Sequence, residues 1–250
     1  MQHDIRRLCL AIFRNTAFEH LARYVGTKIF QPKAADYDDL TSKLIERCCT
    51  TQSNCVDVGA YRGTILRQMA AIATKGKVYG FEPVPMNYYY LKKRFPKAII
   101  YDFALSDTSG SQEFYYAAGR PARSSLVQRH YPDKNERIKT FSVRSECLDN
   151  VIPLDAPIHF IKIDVEGVEL KVLRGAEKII RKHKPTILFE HGPEQRQNSE
   201  LCYDLLSDHL GANIRTIRQF LNRSEPLSKS LFLYELYENN EVYFVASYDQ

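Results

Sequence analysis

Asn54-Cys55-Val56-Asp57-Val58-Gly59-Ala60-Tyr61-Arg62-Gly63-Thr64-Ile65 is the stretch whose reading decides the fold. A short apolar run with β-branched residues ends in an acid. A glycine turn and an amphipathic segment follow, which predicts a strand, a tight turn and a helix start. That arrangement sets a nucleotide against a helix N-terminus. A buried strand with a purely structural turn has the same pattern. The spacing is Asp-x-Gly-x-x-x-Gly, not the Gly-x-Gly-x-x-Gly of dinucleotide sites. A carboxylate at Asp57 suits an ammonium group better than a pyrophosphate.

Outward from this stretch, strands and helices alternate. Strands are predicted at Cys55–Val58, Lys77–Phe81, Ala98–Phe103, His159–Ile163 and Thr186–Phe189. Helices are predicted at Asp36–Arg47, Thr64–Ala73, Asn87–Phe95 and Glu169–His183. Such alternation points to a parallel sheet with helices on both faces. Two segments depart from it. Between Asp107 and Pro157 lies an insertion with strand-like Gln112–Ala117 and Thr140–Val143. Towards the C-terminus, Ile214–Phe220 and Glu241–Ser247 read as strands joined by a loop or hairpin, with no helix needed. The expected organisation is a helical N-terminal extension over 1–50 and one domain over 51–250. The insertion, 110–157, falls near the substrate site.

The chemistry collects at strand ends. Glu82 follows the second strand about twenty residues beyond Gly59, where an acid can accept both ribose hydroxyls of an adenosine. With Asp57, Gly59, Tyr61 and Gly63 it outlines a site for S-adenosylmethionine (SAM), which carries an ammonium and no phosphate. Asp102, Phe103 and Ala104 end the third strand, where the adenine pocket would lie. Asp164 and Glu166 follow the fourth strand, and Glu190-His191 the fifth. Any of these four could remove a hydroxyl proton. Asp164 and Glu190 could also share a divalent cation, which the spacing does not demand and which is not expected. In the insertion, Arg123, Ser124, Ser125 and His130 stand among further basic residues and suit an acceptor that is anionic.

Four blocks then become recognisable: Val56-Asp57-Val58-Gly59-Ala60, Gly80-Phe81-Glu82-Pro83, Ala104-Leu105-Ser106-Asp107, and the run from Ile161 through Asp164, Glu166, Gly167 and Glu169 to Gly175-Ala176. In order and content they resemble the FkbM family of SAM-dependent methyltransferases. The resemblance implies a class I methyltransferase (Rossmann-like) fold, with a mostly parallel seven-stranded sheet and an antiparallel last strand. It implies methyl transfer to oxygen, on a small molecule or saccharide. Carried over by position, Asp57, Gly59, Gly63 and Glu82 take cofactor roles, and Asp164 and Glu166 fall in the signature acidic turn. Ser124-Ser125-Leu126 resembles a serine motif found at this place in the family. Tyr61 departs from the family, which often has Asn there; its ring is large enough to close over the methionine end of the donor.

The rest of the chain narrows the alternatives. With 250 residues, 44% apolar and 26% charged, the composition is that of an ordinary globular protein. A net charge of +5 makes no case for nucleic acid, and no run is long and apolar enough to span a bilayer. The six cysteines show no zinc-site spacing and suit free thiols in a reducing cytoplasm. Apolar residues from Ile5 to Tyr24 fall at helical spacing with a basic opposite face, so Asp4–Tyr24 is predicted as an amphipathic helix. A homodimer is compatible with this reading. An RNA methyltransferase and a non-catalytic SAM-binding scaffold are the competing functions.

Overall fold

The computed structural model describes residues 32–129, 136–192 and 196–248. The amphipathic segment Asp4–Tyr24 and His130 lie outside them. Helix α1 spans Pro32–Cys48, and Ile45–Gln250 forms one compact unit.

Seven strands make the main sheet: β1 (Cys55–Val58), β2 (Val78–Phe81), β3 (Ile99–Tyr101), β7 (Phe160–Ile163), β8 (Thr186–Glu190), β9 (Asn213–Thr216) and β10 (Tyr243–Ser247). Their order is β3-β2-β1-β7-β8-β10-β9. All run parallel except β10, which lies antiparallel between β8 and β9. β1, β2 and β7 are buried along their whole length, as expected of parallel strands covered on both faces. Val56, Phe81, Ile161 and Ile163 join the largest core cluster. Helices α5 (Glu169–Arg174), α6 (Glu177–His183) and α9 (Lys229–Tyr237) join it through Leu173, Ile180 and Phe232. Leu66 and Met69 of α2 (Thr64–Ile72) and Leu91 of α3 (Pro85–Arg94) are fully buried outside that cluster and cover the other face.

The insertion is a β-hairpin. β5 (Gly110–Ala117) and β6 (Ile138–Glu146) pair antiparallel from Gly110↔Ser145 to Ala117↔Ile138, and β4 (Ala104–Leu105) adds to β6 in parallel. The third predicted strand, Ala98–Phe103, is shortened to Ile99–Tyr101 in the main sheet, and Ala104–Leu105 just beyond it joins the small one.

Two expectations need correction. The helix expected over Glu169–His183 is broken after Arg174. A Cβ on Gly175 would stand 2.0 Å from the Ser106 carbonyl oxygen, so the chain passes there with no room for a side chain. Helix α6 then restarts with the amides of Lys178 and Ile179 donating to the Asp149 carboxylate at 2.9 and 3.0 Å. The C-terminal strands are also not a hairpin. The first ends at Thr216, which forms a capping box with Gln219 and starts α8 (Ile217–Leu221), and Ser228 caps α9 before the chain returns as β10.

Candidate active site

The turns after β1 and β7 are built against each other. Gly59 adopts φ +78°, and a Cβ there would fall 2.0 Å from the Asp164 carbonyl oxygen. Only glycine meets both demands, so the glycine turn brings Asp164 beside Gly59. Gly63, at φ +74°, turns the chain into α2 where a Cβ would meet the Phe95 ring at 2.5 Å.

A cleft of about 550 Å³, including its open mouth, lies over these turns. Gly59, Tyr61, Glu82, Val84 and Ala104 line one part, and Asp164, Val165 and Glu166 another. The hairpin contributes Phe114, Pro121, Ala122, Ser124 and Leu126.

Glu82 is 4% exposed and fixed from three sides. Its carboxylate accepts from the Tyr61 amide (2.8 Å), the Val84 amide (3.0 Å) and Asn87 Nδ2 (3.2 Å). Burial raises its pKa, and these hydrogen bonds work against that rise. A carboxylate has about four lone-pair positions and three are used, so one remains, on Oε2, for a ribose hydroxyl. With apolar walls from Phe81, Val84 and Leu105, the donor set fits an adenosine.

The acidic turn is shaped by Glu169. Nearly fully buried, it accepts from the amides of Val165 (3.2 Å) and Gly167 (3.0 Å), while Glu166 sits at φ +60° and Gly167 at +115°. Three contacts pin the hairpin to this turn. Ser125 Oγ donates to the Val165 carbonyl (3.1 Å), Val127 packs against Gly167, and Arg129 pairs with Glu166.

Below the cleft runs a buried charge network. Lys162 Nζ lies 3.0 Å from Asp164 Oδ2 and 3.8 Å from Asp57 Oδ1, and Asp57 and Lys162 are cross-strand neighbours on β1 and β7. Burial pulls the Lys162 pKa down, but the charges of Asp164 and Asp57 outweigh it and leave it raised. For Asp164, burial acts upward, yet Lys162, the hydrogen bond with Glu190 and Arg129 leave it lowered. Glu190 is pushed well up by burial and then by the Asp164 charge. Both directions favour a proton on Glu190 and charge on Asp164. Tyr243 OH, from the antiparallel strand, donates to Glu190 Oε2 at 3.0 Å.

This makes Glu190→Gln an informative change. Glutamine reproduces the protonated acid, donating to Asp164 and accepting from Tyr243. A carboxyl whose pKa is raised on folding contributes stability at low pH and loses it as pH rises through the folded value. Glu190→Gln should therefore fold normally and be less destabilised than wild type at alkaline pH, as urea unfolding across pH would show.

The sequence-derived residues separate clearly. Gly59, Tyr61, Glu82, Ala104, Ser124, Asp164 and Glu166 line the cleft. Gly63 does not line it; it sets the start of α2. Asp57 is 1% exposed, does not line the cleft and faces Lys162. Phe103 is buried in the core with Phe81 and Tyr101, and Asp102 is exposed at the strand end. His191 is fully buried, with Nε2 2.9 Å from Ser199 Oγ and its ring near Phe232. Ser124 Oγ accepts from the Ala117 amide (3.1 Å) and donates to the Pro121 carbonyl (2.8 Å), so its hydroxyl holds the hairpin tip. Arg123 ends the short 3₁₀ turn Pro121–Arg123 and does not line the cleft. Lys162 and Tyr243 were not singled out from the sequence.

Asp164, Glu166 and Glu190 place carboxylate oxygens within 4.8 Å of one another and could hold a divalent cation. Lys162 and Arg129 already supply positive charge to two of the three. A metal would have to compete with them.

Residues 57–225, more than half of the chain, match the methyltransferase FkbM domain. The chain belongs to the FkbM methyltransferase family. Among solved structures it is similar to an FkbM methyltransferase from Methylobacillus flagellatus KT, at 18% identity and a TM-score of 0.49 over 80% of this chain. The chain spans 44% of that protein's length. It is also similar to an O-methyltransferase from Bacillus cereus in complex with SAH, at 10% identity and a TM-score of 0.47 over 86% of this chain and 81% of that one. An rRNA methylase from Streptococcus thermophilus gives 11% identity and a TM-score of 0.42 over 85% and 96%. No curated protein matches. The mostly parallel seven-stranded sheet with its antiparallel last strand is the one implied by the family resemblance, and no described helix is long and apolar enough to cross a membrane.

Proposed function

We propose that this chain transfers the methyl group of SAM to a hydroxyl oxygen of a small molecule or saccharide, with Asp164 as the base. The observation that carries the reading is Asp164 itself: it lines the cleft beside Gly59 and is kept ionised by Lys162 at 3.0 Å. Glu82 would hold the ribose, Val84, Ala104 and Leu105 would flank the adenine, and Tyr61 would cover the methionine end. The bound donor supplies an already activated methyl group. The protein aligns the acceptor oxygen with it and takes the hydroxyl proton onto Asp164.

The charge of the cleft bears on the acceptor. Its charged lining residues are Glu82, Asp164 and Glu166, and among the described residues it has no Lys, Arg or His. An acceptor whose reacting end is uncharged fits this lining better than the anionic one expected from the hairpin's sequence. The test is incubation with methyl-labelled SAM and cell extract, followed by fractionation. Label in a glycan or small molecule is expected. Label found only in RNA or protein would overturn the reading.

Glu82→Ala tests the donor site directly. It removes the ribose acceptor and strands the amides of Tyr61 and Val84, each hydrogen bond to a charged group being worth about 1.5–3 kcal/mol. S-adenosylhomocysteine (SAH) binding is expected to weaken by roughly 10–100-fold, measured by calorimetry.

A further inference from the structure

Away from the cleft, one corner of the main sheet combines charge with exposed apolar groups. From Pro83 to Tyr101 the chain holds Lys92, Lys93, Arg94 and Lys97 and no acid. Met86, Tyr89 and Lys93 of α3 share one face of the helix by their spacing. Met86 is 51% and Tyr89 69% exposed, and Ile99 on the edge strand β3 is 37% exposed. Lys75 and Lys77 precede β2. Tyr79 of β2 pairs with Ile99, so Lys77, which precedes β2, and Lys97, which precedes β3, lie at the same end of these two neighbouring strands. All six cations are exposed, and none is in an ion pair among the described residues.

Cations in the last turn of a helix complement its dipole, which accounts for Lys92, Lys93 and Arg94. It does not account for Lys75, Lys77 and Lys97. Nor does it explain why Met86 and Tyr89 on the same helix, and Ile99 two residues beyond Lys97, are three of the seven large apolar side chains exposed among the described residues.

We propose that this corner, formed by α3 with Lys75, Lys77, Lys97 and Ile99, docks on an anionic lipid bilayer. Cations attract such a surface, and apolar side chains set between them can enter the acyl boundary. Polynucleotide is the poorer complement. Of the three exposed apolar side chains only Tyr89 offers a ring for a base, Lys92 Nζ already covers the neighbouring Tyr88 ring at 5.4 Å, and a helix face is not a groove that tracks a strand. Docking leaves the cleft intact, because Asn87, the α3 residue that bonds Glu82, is buried.

The full chain is sedimented with vesicles of phosphatidylcholine, alone or with about 30% phosphatidylserine, an anionic lipid of the class such patches attract. Binding is expected only with phosphatidylserine and should weaken as salt is raised. Each cation near the surface is worth about fivefold in partitioning, so Lys92→Glu/Lys93→Glu/Arg94→Glu should lower it by roughly 100-fold or more. Met86→Ser/Tyr89→Ser should lower it while leaving the salt dependence unchanged. SAH binding should be unchanged in both variants, which separates loss of docking from loss of fold. Equal binding to both vesicles, no binding, full binding by the triple variant, or displacement from vesicles by an RNA oligonucleotide would overturn the proposal.

Discussion

Asp164→Asn is expected to lower methyl transfer by roughly 10²–10⁴-fold, the usual contribution of a positioned base, with SAH affinity close to wild type. Asparagine keeps the size of the side chain and can still accept from Lys162, so the turn against Gly59 should hold its shape. What is lost is the negative charge that receives the proton. Lys162 at 3.0 Å and the hydrogen bond with Glu190 favour that charge and outweigh burial. Alignment by the cleft remains, so activity should not fall to the uncatalysed level. Glu166→Gln is the comparison: Glu166 lines the same wall but is paired with Arg129, and its loss should cost less than that of Asp164. Single-turnover transfer from methyl-labelled SAM to the fractionated acceptor measures both. An Asp164→Asn enzyme that kept the wild-type rate would exclude Asp164 as the base.

The main sheet was legible because its signals are local: continuous apolar runs, glycine turns and acids at strand ends. Where reading failed, a tertiary contact or an overlooked cap decided. Nothing near Gly175 announces the close approach of the Ser106 carbonyl at the place where the expected helix is interrupted. The capping box is different, since Thr216-x-x-Gln219 is written in the sequence and marks a helix start within what reads as a β run. His191 has a suitable ordinary pKa for a base, yet it follows the strand end by one residue and turns into the core. Asp57 shows the limit of reading a carboxylate by its motif, for its side chain faces the sheet interior rather than the cleft. Lys162 carried a usable signal. A lysine between Ile161 and Ile163 in a buried parallel strand requires an acid partner, and Asp57, at the matching place in the first strand, shares that role with Asp164.

Lys162→Met tests this internal pairing and should have the largest effect on stability. Methionine has about the right volume, so the change removes charge rather than packing. Asp57 is 1% exposed, and the Lys162 ammonium is the largest influence that offsets its burial, ahead of the Leu66 amide. Breaking a buried pair by removing one partner costs about 3–5 kcal/mol, a large share of a typical domain's 5–15 kcal/mol. For a chain of this size the melting temperature should fall by roughly 10 °C. The sign of the pH dependence identifies the cause. Burial already raises the Asp57 pKa, and without Lys162 it should rise further. An acid with a raised folded pKa favours the folded state below its unfolded pKa, and that favour is lost as pH rises through the folded value. The deficit of Lys162→Met should therefore be small in acid and grow towards neutral pH in urea unfolding. Adding Asp57→Asn should recover much of it, because no uncompensated charge then remains beneath β1. A deficit that is equally large at all pH values, or that Asp57→Asn does not relieve, would mean that Lys162 serves packing rather than charge. If stability recovers in the double variant while methyl transfer stays low, the remaining loss belongs to Asp164, which has lost the ammonium that keeps it ionised.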